Sequence, residues 1–208
     1  MGPTNYLLER LRDGDFSDCT LVCRGRKFNL HRVICSQSPV MHEELSEVES
    51  HPHVLNADNF EVVSIQRLVD YLYDGDYDPA VPVEKSAGFP EKRSDSVISE
   101  NTRVHLEMSI VADHFKLPGL AKIASERVGH MLENYWRPHL FCDILLDFAK
   151  YSADRNMRDM ILEMAVRKMP ELAKEPKFEE LKEIGPLGHK LLCQMASPLK
   201  AIKKQRGN

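Results

Sequence analysis

The hydrophobic pattern changes its period partway along this 208-residue chain, and that change limits the folds it can adopt. Apolar and polar residues alternate, as in a half-buried strand, only within residues 19–31, with a shorter strand pattern at 53–56. From residue 103 onward the apolar residues recur at helical spacing, and prolines separate the segments. The sequence therefore predicts a first part of mixed α and β structure and a last part that is entirely helical.

The first helix is predicted from one stripe of leucines. Leu7, Leu8 and Leu11 fall at helical spacing, and Gly14 ends the pattern. An amphipathic helix this short is only marginally stable alone, so we expect it to pack against other residues of this domain or against a second protein.

Turn and capping residues predict the other elements of the first part. Arg24-Gly25-Arg26 is expected to connect the two strands of an antiparallel hairpin. Ser38-Pro39 caps and opens a second helix. The spacing of Asp58 and Glu61 is that of a capping box, which opens a longer helix that ends near Gly75. The predicted strands are 19–23, 27–31 and 53–56.

The middle of the chain, residues 78–101, is predicted to be a mobile loop. It holds three prolines and many Ser, Lys and Glu residues, so it has too little apolar surface to offset the entropy of ordering it. Helices are predicted after it, at 103–117, 119–134, 139–152, 156–169, 176–184 and 187–196.

Charge and cysteine content exclude several classes of protein. The net charge of −4 argues against a generic DNA- or RNA-coating protein, so no direct nucleic-acid partner is expected. Five scattered cysteines, an odd number, argue against an oxidised secreted framework. No apolar run is long enough to cross a membrane, and charges interrupt the start where a signal peptide would be apolar. We expect a soluble, reduced protein of the nucleus, the cytoplasm or both.

Four short motifs of the first part are similar to those of a known family. They are Phe16/Asp18, His31/Arg32, Ser38-Pro39-Val40-Met41 and Tyr71-Leu72-Tyr73-Asp74-Gly75. With the order helix, hairpin, helix, helix, strand, helix, these residues make positions 5–133 resemble the BTB/POZ domain. Met41 departs from the Phe that is usual there. The helical tail resembles the short extensions of many fungal BTB proteins.

The resemblance implies an α+β fold, with a small sheet flanked by helices and followed by an all-α extension. The expected BTB/POZ domain covers 1–133, including the insertion at 78–101, and the extension covers 134–208. Such a domain is a non-enzymatic interaction module without a cofactor, and it implies a homodimer. In the family the first helix packs against its copy in a second subunit, whereas the alternative is that its apolar stripe is ordinary core. The residues concerned are Tyr6, Leu7, Leu8 and Leu11.

The same resemblance implies two partner sites. In BTB dimers that resemble this chain, the positions of Asp18 and Arg32 form a charged pocket at the dimer groove, and an ordinary structural ion pair is the alternative. Leu45-Ser46-Glu47 matches the hydrophobic-x-Glu motif by which BTB adaptors hold a cullin scaffold, in the loop after the Ser-Pro helix. Leu45 is expected to enter an apolar pocket of the cullin, while Glu47 accepts hydrogen bonds at its rim.

Metal-binding and catalytic interpretations of the cysteines are weaker. The residue types of a zinc site occur at four positions of the first part, Cys19, Cys23, His31 and Cys35. In a strand, however, the first two sulfurs lie about 13 Å apart, whereas zinc holds each sulfur at about 2.3 Å. We therefore expect small core cysteines and no metal. The nucleophile-and-base pattern of His139, Cys142 and Asp143 lacks any oxyanion donor.

Three functions follow from the sequence. The first is a homodimeric BTB adaptor or scaffold with an unknown cargo, in particular a substrate adaptor of a cullin-type ubiquitin ligase. The second is a nuclear scaffold that recruits transcriptional or chromatin regulators through the dimer groove, with the four cations of residues 200–208 as an import patch. The third, a small enzyme, is from another class and has no catalytic motif to support it.

Overall fold

The computed structural model describes residues 3–47, 53–79, 95–148 and 155–178. The chain divides into two compact units. The first unit comprises 1–83 and 107–124, and the second unit comprises 84–106 and 125–208. The described elements are α1 (Pro3–Arg12), β1 (Cys19–Cys23), β2 (Arg26–Leu30), α2 (Arg32–Cys35), α3 (Pro39–Glu47), β3 (Val54–Asn56), α4 (Val62–Asp74), α5 (Asp95–His114), α6 (Pro118–Asn134), α7 (Pro138–Phe148), α8 (Arg155–Arg167) and α9 (Met169–Leu172).

The first unit contains a small three-stranded sheet in the order β2-β1-β3. The predicted hairpin is confirmed, because β1 and β2 pair antiparallel with Leu21 opposite Phe28. Its turn is the two residues Arg24 and Gly25, which both have positive φ, +49° and +80°, as the tight turns of hairpins require. The third strand adds to β1 in parallel, with Leu55 opposite Leu21.

Helices cover this sheet and build the core of the first unit. The central strand turns Cys19, Leu21 and Cys23 inward, and all three are buried. Fully buried side chains from the helices complete the core, and they include Met41, which stands where the family usually has Phe. The largest are Met41, Ile65, Leu68, Met108 and Leu120.

The Ser38 cap is confirmed and also reaches a neighbouring segment. Its Oγ accepts a hydrogen bond from the backbone N–H of Met41 at 3.2 Å, which satisfies a donor in the first turn of α3. The same hydroxyl donates to the carbonyl oxygen of Phe115 at 2.6 Å. The buried hydroxyl therefore fixes both the start of α3 and its distance from the end of α5.

The predicted capping box of α4 is wrong, although the helix begins where expected. Glu61 is the N-cap residue, and no side chain caps the helix there. The Asp58 carboxylate instead accepts hydrogen bonds from the backbone N–H of Arg24 at 2.5 Å and from Asn56 at 3.0 Å. The backbone N–H of Arg24 lies in the hairpin turn and has no partner in the sheet. The Asp58 carboxylate accepts its hydrogen bond instead of capping α4. The predicted end of α4 is confirmed, since Gly75 caps it with φ +74°.

The described part of the second unit is helical, and helix α5 begins earlier than the sequence predicts. Residues 95–101, expected as loop, form its first turns. Ile98 is buried there against Met131 and Leu140. This burial outweighs the polar composition of the segment. The rest of the predicted loop from residue 80 to 94, and nearly all of the last two predicted helices, lie outside the described residues.

Helices α7, α8 and α9 form the remaining core of the second unit. Pro170, predicted as a break, lies in the first turn of α9, where a missing N–H costs nothing. Among the described helices, none is long and apolar enough to span a bilayer. The fully buried side chains include Phe141, Leu145, Met157, Ile161, Leu162 and Leu172.

Candidate protein-interaction surface

Helix α1 presents an apolar face to solvent. Tyr6 is 62% exposed, Leu7 53% and Leu8 38%, whereas Leu11 is partly buried. Ion pairs at the end of the helix hold it to its own unit, between Arg10 and Asp15 and between Arg12 and Asp74. The described apolar side chains of α1 are therefore mostly uncovered within a single copy of the chain.

A second exposed aromatic residue follows this helix. Phe16 is 79% exposed and has a positive φ of +65°. A non-glycine residue in this left-handed region costs about 1–2 kcal/mol. The sequence indicated Phe16 only as part of a family motif and did not predict that its side chain is exposed. The sequence signal for this exposure is the position of Phe16 in a polar turn shortly after Gly14.

A pocket of about 320 Å³ opens at the junction of β1, α2 and α3. It brings together three of the residues predicted to contact partners, although they lie in separate elements. Its lining is Asp18, Arg32, Val33, Ser36, His42, Leu45 and Ser46. Val33, at 76% exposure, is the most open apolar side chain of this lining.

Asp18 and Arg32 are joined through the backbone of α2. The Oδ1 atom of Asp18 accepts a hydrogen bond from the N–H of Arg32 at 2.7 Å. The Arg32 guanidinium donates elsewhere, to Nε2 of His53 and to the carbonyl oxygen of Leu45, each at 3.3 Å. Both charged groups therefore line the pocket. The backbone of α2 fixes the Asp18 carboxylate, and α3 and His53 fix the Arg32 guanidinium.

Leu45 and Glu47 are not in a loop, as the sequence predicted, but in the last turn of α3. Glu47 is exposed, whereas Leu45 is only 3% exposed and packs inside its own domain. The expectation that Leu45 inserts into a partner is corrected on this ground, because a side chain already buried has little surface left to offer. Leu45 instead lines the pocket of its own domain.

His31 is the residue immediately before α2, and its ring makes two hydrogen bonds within the first unit. Its Nε2 lies 2.8 Å from the carbonyl oxygen of Asp15, which can only accept, so Nε2 carries the proton. In the neutral ring, Nδ1 then accepts a hydrogen bond from the Tyr73 hydroxyl at 2.6 Å. Burial raises the pKa of Tyr73 to about 12, which keeps this donor protonated.

The structure also describes the residues of the predicted zinc alternative. Cys19, Cys23 and Cys35 are buried, and both ring nitrogens of His31 are occupied by the hydrogen bonds above. In the described ranges no three His, Cys, Asp or Glu side chains are arranged to hold a metal.

The nucleophile-and-base alternative fails on geometry. Cys142 is completely buried, and this burial raises the pKa of its thiol to about 11. His139 bonds to Asp95 at 3.1 Å, while Asp143 accepts a hydrogen bond from Lys177 at 2.6 Å. The three side chains therefore have partners other than one another.

Comparison with known families identifies the segment that contains this pocket. A family model described as the BTB/POZ domain matches residues 8–88. The chain contains a BTB/POZ domain. BTB/POZ domains are protein–protein interaction modules, and the matched range includes the last turn of α1, the hairpin, the pocket and α4.

Among solved structures, the BTB (Tramtrack and Bric a brac) domain of human Gigaxonin is similar to this chain. The two are 17% identical, the match covers 61% of this chain and 93% of that one, and the TM-score is 0.37. No curated protein matches the chain.

Proposed function

We propose that this chain is a homodimeric BTB adaptor or scaffold, in which α1 of one copy packs against α1 of a second copy. The observation that carries the proposal is the apolar face of Tyr6, Leu7 and Leu8, which one copy leaves exposed. Covering a leucine side chain fully contributes about 1.5–3 kcal/mol. When this face packs against its own copy across a two-fold axis, each residue is buried once in each subunit, so its contribution to the free energy of association is made twice.

Dimerisation would set the strength of partner binding. Two copies present two pockets, so a bivalent partner binds its second site at a high effective concentration. We propose the pocket beside Asp18 and Arg32 as that partner site. Its open apolar residue, Val33, stands beside charged groups, which is the composition of a docking anchor surrounded by polar contacts.

Within this role, the leading candidate partner is the scaffold of a cullin-type ubiquitin ligase. Glu47 supports it as an exposed carboxylate at the end of α3, next to the pocket residues Leu45 and Ser46. With Leu45 buried, Val33 takes the place of the apolar anchor. The alternative partner is a transcriptional or chromatin regulator in the nucleus. An enzymatic role is the remaining alternative, and no observation favours it.

Calorimetry of the purified chain with a cullin N-terminal fragment tests the adaptor role. We expect binding, a loss of about tenfold or more for Val33→Asp, and a smaller loss for Glu47→Ala. Val63→Asp is the matched control, because Val63 is also an exposed valine but lies on α4. If the wild-type chain does not bind the fragment, the cullin role is wrong and the scaffold role remains.

A further inference from the structure

Two thiols of the first unit are buried in contact with each other. The sulfur of Cys19, at the start of β1, lies 3.8 Å from the sulfur of Cys35, at the end of α2. Cys19 is 5% exposed and Cys35 is fully buried. The two residues are 16 positions apart in sequence, so their contact results from the fold.

The surroundings of the pair make its two sulfurs unequal. A hydrogen bond from the Cys35 thiol lowers the pKa of Cys19, and the charge of Arg32 also lowers it, against the effects of burial and of Asp18. The same hydrogen bond and burial raise the pKa of Cys35. Cys19 is thus the sulfur that becomes a thiolate first, and the thiolate is the reactive form of cysteine.

The other described cysteines lack this arrangement. Cys23 lies at the far end of β1 and donates a hydrogen bond to the carbonyl oxygen of Phe60. Cys142 is buried in the second unit with a raised pKa. In the described part of the chain, Cys19 and Cys35 are therefore the two cysteines whose thiols are in contact.

We propose that Cys19 and Cys35 are a redox site, which hydrogen peroxide converts into an intramolecular disulfide. The Cys19 thiolate attacks one peroxide oxygen, so that an S–O bond forms, the O–O bond breaks and the released hydroxide takes a proton to become water. Cys35 then loses its proton, and its sulfur displaces the hydroxyl group from Cys19, which leaves as a second water. Two thiols lose two electrons in total, and the peroxide gains them.

Forming the bond would move the residues that line the pocket. The sulfurs must approach from 3.8 Å to a bonded distance of about 2.0 Å. Asp18 and Ser36, the immediate neighbours of the two cysteines, both lie in the pocket wall. The disulfide would therefore join the two chain segments that carry Asp18 and Ser36. In a reducing compartment, the bond would form only when an oxidant is present.

Peptide mass spectrometry of the full chain tests the site. The reduced protein is treated with hydrogen peroxide, free thiols are alkylated, and the protein is digested with trypsin without reduction. The expected product joins the peptide 13–24 to the peptide 33–67, with the loss of two hydrogens. Because Cys23 shares the first peptide, fragment ions must assign the linked sulfur to Cys19.

Variants separate the proposed link from other oxidation. Cys35→Ser should abolish the linked peptide, whereas Cys23→Ser should retain it, and circular dichroism confirms that each variant is folded. The fragment ions of the wild-type protein decide the question if a variant fails to fold. A link to Cys23, a link between chains only, or sulfinic acid on Cys19 without any disulfide would overturn the proposal.

Discussion

The substitution Leu45→Ala tests whether this residue belongs to the core or to a partner surface. Leu45 is 3% exposed at the end of α3, so truncation removes buried methyl groups and leaves a cavity beside the pocket. Buried Leu→Ala changes cost about 2–5 kcal/mol. The pocket lets neighbours or water relax into the space, so we expect a loss near the lower end of that range, about 2–3 kcal/mol.

Urea unfolding followed by far-UV circular dichroism measures this loss. The single tryptophan, Trp136, lies in the second unit, so its fluorescence reports on the wrong part of the chain. Glu47→Ala is the matched control two residues away on the exposed side, and it should change the free energy of unfolding by less than about 0.5 kcal/mol. A cost below about 1 kcal/mol for Leu45→Ala would refute the burial argument and restore Leu45 as an anchor.

Two further predictions concern polar groups of the first unit. Ser38→Ala removes the cap of α3 and leaves the Phe115 carbonyl without its donor, so the free energy of unfolding should fall by about 1–3 kcal/mol; an unchanged urea midpoint would contradict this. Burial raises the pKa of Tyr73 from 10.0 to about 12, so its contribution to stability is complete below pH 10 and is lost as the pH rises to 12. Tyr73→Phe should flatten the fall in melting temperature across that window, and identical pH profiles would disprove the assignment.

Local sequence signals predicted the elements whose causes are local. The turn at Arg24 and Gly25, the Ser38 cap and the Gly75 end of α4 each depend on residues within one turn of the chain. Predictions failed where a distant group competed. Asp58 was expected to cap α4, but the hairpin turn 34 positions earlier takes its carboxylate.

The sequence predicted which residues lie close together more accurately than it predicted how their side chains are arranged. The family motifs indicated Asp18, Arg32 and Leu45, and the structure places all three around one pocket. Their roles differ from those expected, because the guanidinium of Arg32 bonds to the Leu45 carbonyl and the Leu45 side chain packs inward. Which face of α3 is buried depends on the sheet and on α2, and the sequence of α3 alone does not contain that information.

The central claim, that α1 pairs two copies of this chain, is tested most directly by its mass in solution. Light scattering should give twice 23.9 kDa for the wild-type protein. Leu7→Glu combined with Leu8→Glu should give 23.9 kDa, because both residues are exposed in a single copy and their change need not disturb the core. Val63→Glu, an exposed apolar residue of α4, should leave the mass unchanged. A wild-type protein that stays monomeric on concentration, or a dimer that survives both glutamates, would contradict the account.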